Sequence, residues 1–299
     1  MRMKDWLMFA LLGLIWGSSF LWIKIALREI GPFTLVAIRL LIGMAGLAVI
    51  VYFRKPTFPI KRRTWIQLAI LGVFSIAIPF VLITWSELVI DSAVTAILNG
   101  TVPLFTLILA HFFLEDERIT IQRLIGLFVG FIGIVILVSR ELGLGGFTSG
   151  LMGQVAVLIA AISYAGSSVF ARRNLKQTSI LVQAFVPIIV ADLVVWTMVP
   201  LMEPSFIIPK EPLTWLALLW LGLLGTCVAY LLWYSLLHYV GPTRTTLVTY
   251  VLPVVGVALG VIFLDELLDF RLLLGVALVV SGIAVVNWRP RARSLVQQE

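Results

Sequence analysis

The chain has 299 residues, of which 61% are hydrophobic and 12% are charged. Soluble globular proteins carry roughly 25% charged residues, so this composition excludes a water-soluble domain and indicates a chain that folds in lipid. The net charge of +7 would suit a nucleic-acid partner, but none is predicted, because the basic residues follow membrane topology. The single cysteine, Cys227, excludes an internal disulfide framework.

Long apolar runs follow one another along the whole chain. A membrane-spanning helix needs about 20 mostly apolar residues, and backbone groups in lipid must be paired within the segment, so each run predicts a helix. The first run follows a short basic start, but it is long and lacks the cleavage site of a signal peptide. The predicted fold class is therefore an all-α integral membrane protein. Its ten transmembrane helices are expected at about residues 6–27, 34–53, 64–86, 92–114, 121–139, 150–171, 179–201, 213–236, 242–264 and 270–288.

The distribution of Lys and Arg predicts the orientation of these helices. With a cytoplasmic N-terminus, sixteen of the 22 basic residues fall in cytoplasmic segments and four fall in outer segments. Cytoplasmic loops carry an excess of Lys and Arg, so both termini are predicted to be cytoplasmic. Glu87 and Asp91 fall in a predicted outer loop, where solvation would account for them. Lys24 lies near the outer end of the first helix, where its long side chain would extend to the interface.

An ordered series of matching residues, 149 or 150 positions apart, runs through the chain. A single match would be chance, whereas an ordered series indicates a duplication. It predicts two five-helix repeats, residues 1–140 and 150–290. Because five is odd, the two repeats enter the membrane in opposite directions and form an inverted repeat, as in many secondary transporters. The matching pairs are Trp65 and Trp215, Gly72 and Gly222, Pro103 and Pro253, Glu117 and Glu266, Gly126 and Gly275, and Gly133 and Gly282.

Two acidic turns, "LEDER" and "LDELLD", separate the fourth and fifth predicted helices of each repeat. Apolar helices cannot turn inside lipid, so the simpler interpretation is a solvated turn in which Thr120 and Asp269 cap the next helix. The alternative makes Glu117 and Glu266 parts of matched gates on the two membrane faces.

Polar residues form a stripe along the fourth and ninth predicted helices. Steps of three and four place these residues on one face of each helix. They either let the helices pack closely or line a water-filled cavity. Pro103 and Pro253 lie in the middle of these helices and free a backbone carbonyl one turn earlier, so they are candidate hinges. The stripe residues are Ser92, Thr95, Asn99, Pro103 and Thr106 in the fourth helix, and Pro242, Thr245, Thr249, Pro253 and Gly256 in the ninth.

Aromatic residues and hydroxyl groups recur together in the first, sixth, eighth and ninth predicted helices. The motifs "WGSSF" and "YAGSS" each combine an aromatic residue, a glycine and two serines. Aromatic faces with hydroxyl groups and few charges suit a neutral or zwitterionic solute with apolar parts. Packing within the protein core is the alternative for each residue taken singly. The candidate substrate-binding residues are Trp16, Ser19, Asn99, Tyr164, Tyr230, Thr249 and Tyr250.

Two charged residues fall at membrane depth, where charges are costly and are candidates for function. Asp192 is the deepest carboxylate and could carry a coupling proton or fill a polar packing role. Arg39 is the second candidate for coupling, and its side chain could instead contact a carboxylate or extend to the interface. No metal site and no cofactor are predicted, because the two histidines lack ligand spacing and nucleotide-binding and nucleophile motifs are missing.

In its order of motifs, nearly the whole chain resembles the EamA type of the drug/metabolite transporter superfamily. The resemblance rests on "WGSSF", Arg39, and the blocks from Pro103 to Glu117 and from Pro253 to Glu266 with the glycines that follow. It implies a bacterial inner-membrane carrier with a central cavity, similar to exporters of aromatic amino acids. Small multidrug members place a glutamate midway along the first helix. This chain has none there, which disfavours their proton-coupled cation antiport.

These observations predict a secondary transporter that exports small organic metabolites, with amino acids as the leading class, and that is not an enzyme. The expected partners are a small-molecule substrate and the lipid bilayer, and the chain is expected to act as a monomer. A sugar, nucleotide-sugar or drug carrier of the same superfamily is the alternative within the class. A membrane-embedded transferase is the alternative from another class, but it would need a catalytic His/Asp set or an acidic metal motif.

Overall fold

A computed structural model of the chain describes residues 3–114, 119–142, 149–240, 245, 248, 249 and 251–287. Regular secondary structure in these residues is helical throughout. Seven helical segments are long and apolar enough to cross a membrane. Three shorter apolar helices cover Ile121–Ile136, Val251–Leu264 and Phe270–Gly282. The all-helical membrane fold is therefore confirmed, whereas ten spans in two inverted repeats stay a prediction.

Most helices follow the predicted runs, but the described helix in the ninth run, predicted at 242–264, covers Val251–Leu264. Those of the first half are α1 (Met3–Ala26), α2 (Pro32–Arg54), α3 (Arg62–Gly72), α4 (Ile78–Ser86), α5 (Ser92–Asn99), α6 (Val102–Phe113) and α7 (Ile121–Leu142). Those of the second half are α8 (Ser149–Asn174), α9 (Ile180–Met202), α10 (Pro212–Leu219), α11 (Ala229–Val240), α12 (Val251–Leu264) and α13 (Phe270–Asn287).

Two π-helical segments interrupt spans at related places. Val73–Ala77 joins α3 to α4, and Trp220–Val228 joins α10 to α11. The first segment follows Gly72 directly, and the second contains Gly222, the repeat-related partner of Gly72. A Cβ on Gly72 would lie 2.7 Å from the carbonyl oxygen of Pro187 on α9, and one on Gly222 would lie 2.6 Å from Cβ of Ile42 on α2. Glycine at both places lets each interrupted span contact a helix of the other half.

The fourth predicted span is broken in the middle. α5 ends at Asn99 and α6 begins at Val102, with Pro103 in the first turn, where a missing N–H costs nothing. Pro253 lies in the first turn of α12 and contacts the break, since a Cβ on Gly100 would lie 2.9 Å from its Cγ. Both prolines therefore accompany helix starts, and their role as hinges stays a prediction.

Glycines bring α7 and α13 into close contact. A Cβ on Gly133 would lie 2.9 Å from the backbone nitrogen of Val279 and 3.0 Å from the carbonyl oxygen of Gly275. One on Gly282 would meet the backbone of Gly126 and Gly130. The glycine series of the two halves thus packs the two helices against each other at backbone distance.

Four connecting segments meet at one end of the bundle, here called the capped face: residues 27–31, 87–91, 203–211 and 265–269. Four helices begin there, α2, α5, α10 and α13. For the first three, a carboxylate from another element accepts hydrogen bonds from backbone N–H groups in the first turn or just before it. Carboxylates at these positions satisfy orphan donors and favour the helix dipole. The pairs are Glu203 with α2, Glu266 with α5 and Glu29 with α10. The charge distribution predicts that all four segments lie outside.

Candidate functional site

A cavity with about 950 Å³ of space not filled by protein atoms lies between helices of both halves. Its walls come from α1, α2, α4, α5, α6, α8, α11 and α12 and from the first π-helical segment. Aromatic rings and hydroxyl groups dominate the walls. The lining residues are Trp16, Ser19, Phe20, Ile23, Arg39, Ser75, Phe80, Ile83, Asn99, Val102, Tyr164, Ser168, Tyr230, Trp233, Tyr234, Thr249 and Leu252.

The structure brings most of the sequence-predicted site residues to this one cavity. Six of the seven candidate substrate-binding residues and Arg39 line it. The seventh, Tyr250, lies outside the described residues, as does Glu117. Pro103 and Pro253 are buried beside the cavity without lining it. Contact with substrate stays a prediction for each residue. The six are Trp16, Ser19, Asn99, Tyr164, Tyr230 and Thr249.

Residues that line the cavity form pairs across the two halves. Each pair is separated by 149 or 150 positions, the same offset that relates the sequence motifs. Such pairing is expected when a site lies on the axis that relates two repeats. The same offset would have identified lining residues that sequence reasoning missed, such as Phe80, Ile83 and Trp233. The pairs are Ser19 and Ser168, Phe80 and Tyr230, Ile83 and Trp233, Asn99 and Thr249, and Val102 and Leu252.

Arg39 has no repeat-related charge and is the one charged residue in the described lining. It is 4% exposed, and its Nε donates a 3.1 Å hydrogen bond to Oγ1 of Thr226. Nη2 donates to the carbonyl oxygen of Gly225 at 3.4 Å, and the guanidinium carbon lies 4.1 Å from the centre of the Phe80 ring. No carboxylate among the described residues pairs with Arg39. Its neutral partners and the aromatic face hold it in place without cancelling its charge.

The second π-helical segment supplies these partners. In a π-helix the bonding shifts from i−4 to i−5, so a local carbonyl becomes available, and such segments occur often at functional sites. Gly225 accepts from Nη2 of Arg39 and, at 3.2 Å, from Nε1 of Trp16. Thr226 donates its hydroxyl hydrogen to Leu221 and so presents an oxygen to Arg39. The segment therefore positions two predicted site residues that lie far from it in sequence.

The polar stripe divides between the two interpretations. Ser92 and Thr95 are fully buried away from the cavity, and the hydroxyl of Thr95 bonds to the carbonyl oxygen of Asp91. Asn99 lines the cavity, and its buried Oδ1 has no hydrogen-bond partner among the described residues. An unpaired buried acceptor costs about 1–3 kcal/mol, which makes Asn99 a candidate contact for a ligand N–H. Packing thus explains the outer part of the stripe, and the cavity explains the part at the helix break.

Asp192, a predicted coupling residue, does not line the cavity. It is 4% exposed on α9 and interacts with the Trp196 side chain one turn further along the same helix. Arg39, the other predicted coupling residue, has its hydrogen bonds elsewhere. The structure therefore does not join the two into one charged pair.

The second acidic turn is more than a solvated loop. Thr120 and Asp269 cap the following helices as predicted, accepting from the backbone nitrogens of Arg123 and Leu272. Glu266, however, reaches across to α5 and accepts from the backbone nitrogens of Ser92 and Ala93. A role as a gate stays a prediction.

Glu87 and Lys24 differ from their predicted roles at the solvent boundary. Glu87 is 1% exposed, so solvation does not account for it. Burial raises the pKa of its carboxyl well above its usual range, against the opposing charge of Lys24. Lys24 turns inward and donates from Nζ to the carbonyl oxygens of Glu87 and Ile90 at 2.5 and 2.8 Å. Among the described residues, no group of three metal-ligating side chains occurs.

Comparison with known proteins gives consistent findings. Residues 4–139, and again residues 151–288, match the EamA-like transporter family. An uncharacterized transporter of Archaeoglobus fulgidus is 26% identical over 95% of this chain and 99% of its own length. A probable amino-acid metabolite efflux pump of Escherichia coli is 25% identical over 97% and 98% of the two chains. The uncharacterized inner membrane transporter YedA of Escherichia coli is 28% identical over 92% and 87%. One solved crystal structure, 22% identical, superposes with a TM-score of 0.70 over 96% of this chain and 98% of that one, which shows the shared fold alone.

Proposed function

Because the chain belongs to the EamA-like transporter family, we propose that it is a secondary transporter that exports amino acids and related small metabolites by alternating access. The observation that carries this proposal is the cavity, which combines one cation, one unpaired acceptor and aromatic walls. The name of the Escherichia coli efflux pump adds support for the substrate class. We place the carrier in a bacterial inner membrane with both termini cytoplasmic and with inverted repeats at residues 1–140 and 150–290.

Arg39 provides the contact for the substrate carboxylate. A guanidinium has five N–H donors, and only two hydrogen bonds from Arg39 go to described protein groups. Hydrogen bonds between guanidinium and carboxylate are charge-assisted and are among the strongest in proteins. The start of α6 at Val102 lies in the same wall, and its helix dipole adds to the positive potential.

Asn99 provides the contact for the substrate ammonium. Its unpaired Oδ1 would gain a donor from the bound amino acid, which removes the cost of leaving it unsatisfied. The remaining walls suit an apolar or aromatic side chain, since Trp16 packs against Tyr230 and Trp233 with ring centres 6.3 and 5.3 Å apart. A zwitterion with a hydrophobic side chain therefore matches the charges and the surface of the cavity.

A nucleotide sugar matches the cavity less well. Its phosphates carry several negative charges and would favour a cluster of basic residues. Arg39 is the one cation in the described lining.

The direct test is a thermal-shift screen followed by efflux from liposomes. A ligand that binds only the folded protein raises the unfolding midpoint. We expect aromatic and large apolar amino acids to stabilise the purified protein and their decarboxylated amines to have no effect. A response to sugars or phosphates alone would overturn the substrate class.

Asn99→Ala supplies the residue-level test. We expect this variant to fold and to lose most efflux of the stabilising amino acid, because the ammonium loses its acceptor. Asn174→Ala is the matched control, since Asn174 lies at the end of α8 away from the cavity lining. Normal efflux by Asn99→Ala would remove that residue from the proposed site.

A further inference from the structure

Glu87 is a buried acid that does not take part in the proposed substrate contacts. It is 1% exposed, and neither carboxylate oxygen has a hydrogen-bond partner among the described residues. An ionised carboxylate in such a place costs several kcal/mol, because it loses its hydration without gaining donors. The neutral acid avoids that cost, so the carboxyl holds a proton in this conformation.

The neighbouring charges do not replace the missing donors. The ammonium of Lys24 donates hydrogen bonds to the carbonyl oxygens of Glu87 and Ile90. It therefore bonds to the main chain of this segment and not to the carboxyl group of Glu87. Glu266, Lys24 and Arg39 act on Glu87 from other elements, the first with the same charge and the other two with the opposite charge. Asp91 is the other acid of the same segment.

The same region holds contacts that join the elements of the capped face. Lys24 ties α1 to residues 87–90, and Glu266 ties residues 265–269 to α5 through the backbone nitrogens of Ser92 and Ala93, at 2.7 and 3.0 Å. α8 packs on the other side, where a Cβ on Gly153 would meet Val89 and Ile90. No titratable residue precedes Tyr164 on α8. Opening this face would separate these elements and admit water to Glu87.

We propose that Glu87 is a proton-binding site linked to the opening of the capped face. The Glu87 carboxyl keeps its proton while the Lys24 contacts hold the face closed. When the face opens, the O–H bond breaks, the electron pair stays on the carboxylate and the proton passes to water. The inference rests on the proposed function, since it assigns proton linkage to the same carrier, but its test requires no substrate.

The sign of the pH effect follows from this linkage. Glu87 binds its proton more tightly in the closed form than in the open, hydrated form. Protonation therefore stabilises the closed face fully below about pH 4, the ordinary range of a glutamate, and this stabilisation is lost as pH rises through the higher pKa of the closed form. Raising the pH on this side should open the face.

Cysteine accessibility measures the opening directly. The native thiol is removed by Cys227→Ala, and Val102→Cys places a reporter in the cavity wall. Ile208→Cys, at a position 65% exposed on the capped face, serves as the reference in a parallel protein. Labelling of the reference by an impermeant maleimide, in right-side-out and in inverted membrane vesicles, identifies the side on which this face lies. The reagent is then added on that side, and the ratio of reporter to reference removes the intrinsic pH dependence of thiol labelling.

We expect the ratio to rise as the pH is raised above the ordinary range of a glutamate, by up to about tenfold per pH unit, as one proton is released. Glu87→Gln should keep the ratio low and flat, because glutamine stays neutral. Asp91→Asn, which removes an acid from the same segment, should keep the native slope. Glu87→Asp should also keep a slope, with a shifted midpoint.

The inference would be overturned if the labelling ratio did not change with pH in the protein that keeps Glu87. It would also be overturned if Glu87→Gln showed the same pH dependence as that protein. If Glu87→Gln does not reach the membrane, Glu87→Asp provides the test. A labelling ratio with the same pH midpoint as the native background would show that another group binds the proton. Amino-acid efflux is measured separately. Its absence beside an intact pH response would count against the proposed substrate and not against the proton site.

Discussion

Arg39 in the cavity and Glu87 on the capped face are both buried ionisable residues, at 4% and 1% exposure, but their surroundings differ. Arg39 has a hydroxyl, a carbonyl and an aromatic face arranged around its guanidinium. Neither carboxylate oxygen of Glu87 has a hydrogen-bond partner among the described residues. The partners of Arg39 stabilise a permanent charge, which suits a ligand of opposite charge. The lack of hydrogen-bond partners at Glu87 favours the neutral form of its carboxyl, which binds a proton.

The largest expected effect tests the cavity side of this comparison. Arg39→Met removes the charge but keeps most of the side-chain volume. A hydrogen bond to a charged group contributes about 1.5–3 kcal/mol, so amino-acid efflux from liposomes should fall roughly ten- to hundredfold. Arg28→Met, at an exposed position on the capped face, is the control and should transport normally. Undiminished efflux by Arg39→Met would mean that the cation does not contact the substrate.

The next effect tests the contacts that close the capped face. Lys24→Met removes the donor to two carbonyl oxygens. In the open form water can replace that hydrogen bond, so the substitution favours the open form. With about 1.5 kcal/mol lost, labelling of the Val102→Cys reporter from this side should increase about tenfold at neutral pH. The same Arg28→Met change should leave labelling unaltered. Unchanged labelling in Lys24→Met would show that other contacts keep the face closed.

A smaller effect compares two carboxylates of the capped face. Glu203 accepts from the backbone nitrogens of Phe33 and Thr34 and from the Thr34 hydroxyl, so it caps α2 as an anion. Glu203→Gln should lower stability by about 1–2 kcal/mol, the usual value of a helix cap, and should lower the unfolding midpoint. Glu87→Gln should not lower it at neutral pH, because the native acid is already neutral. Glu211→Gln, exposed on the same face, is the control. Equal losses at Glu203 and Glu87 would contradict the assigned charge states.

The smallest effect concerns Glu29, whose pH response has the opposite sign to that of Glu87. The backbone N–H of Lys210 and the Thr214 side chain lower the pKa of the Glu29 carboxyl. A lowered folded pKa contributes stability that is present above about pH 4, the unfolded value, and is lost as pH falls through the folded pKa. The unfolding midpoint of the native protein should therefore decline slightly more in acid than that of Glu29→Gln. Parallel curves would show that this cap adds no measurable stability.

The sequence alone determined the membrane class, the approximate positions of most helices and seven of the residues that line the cavity. Membrane helices can be predicted from sequence because a segment in lipid must be long, apolar and paired within its own backbone. The repeat offset by itself pairs Asn99 with Thr249, and both line the cavity. Applied to every position, the same offset also pairs Phe80 with Tyr230. Polar residues at membrane depth stand out because lipid tolerates few of them.

Only the tertiary structure decided how the isolated charges are used. Whether a carboxylate is solvated or buried depends on which distant segments cover it, and Glu87 is covered by elements from both halves. The partners of Arg39 come from a π-helical segment almost two hundred residues later, and a shift from α to π bonding has no sequence signature of its own. Local patterns therefore predict where the chain crosses the membrane. The charge state of a buried group is determined by long-range contacts that no local pattern contains.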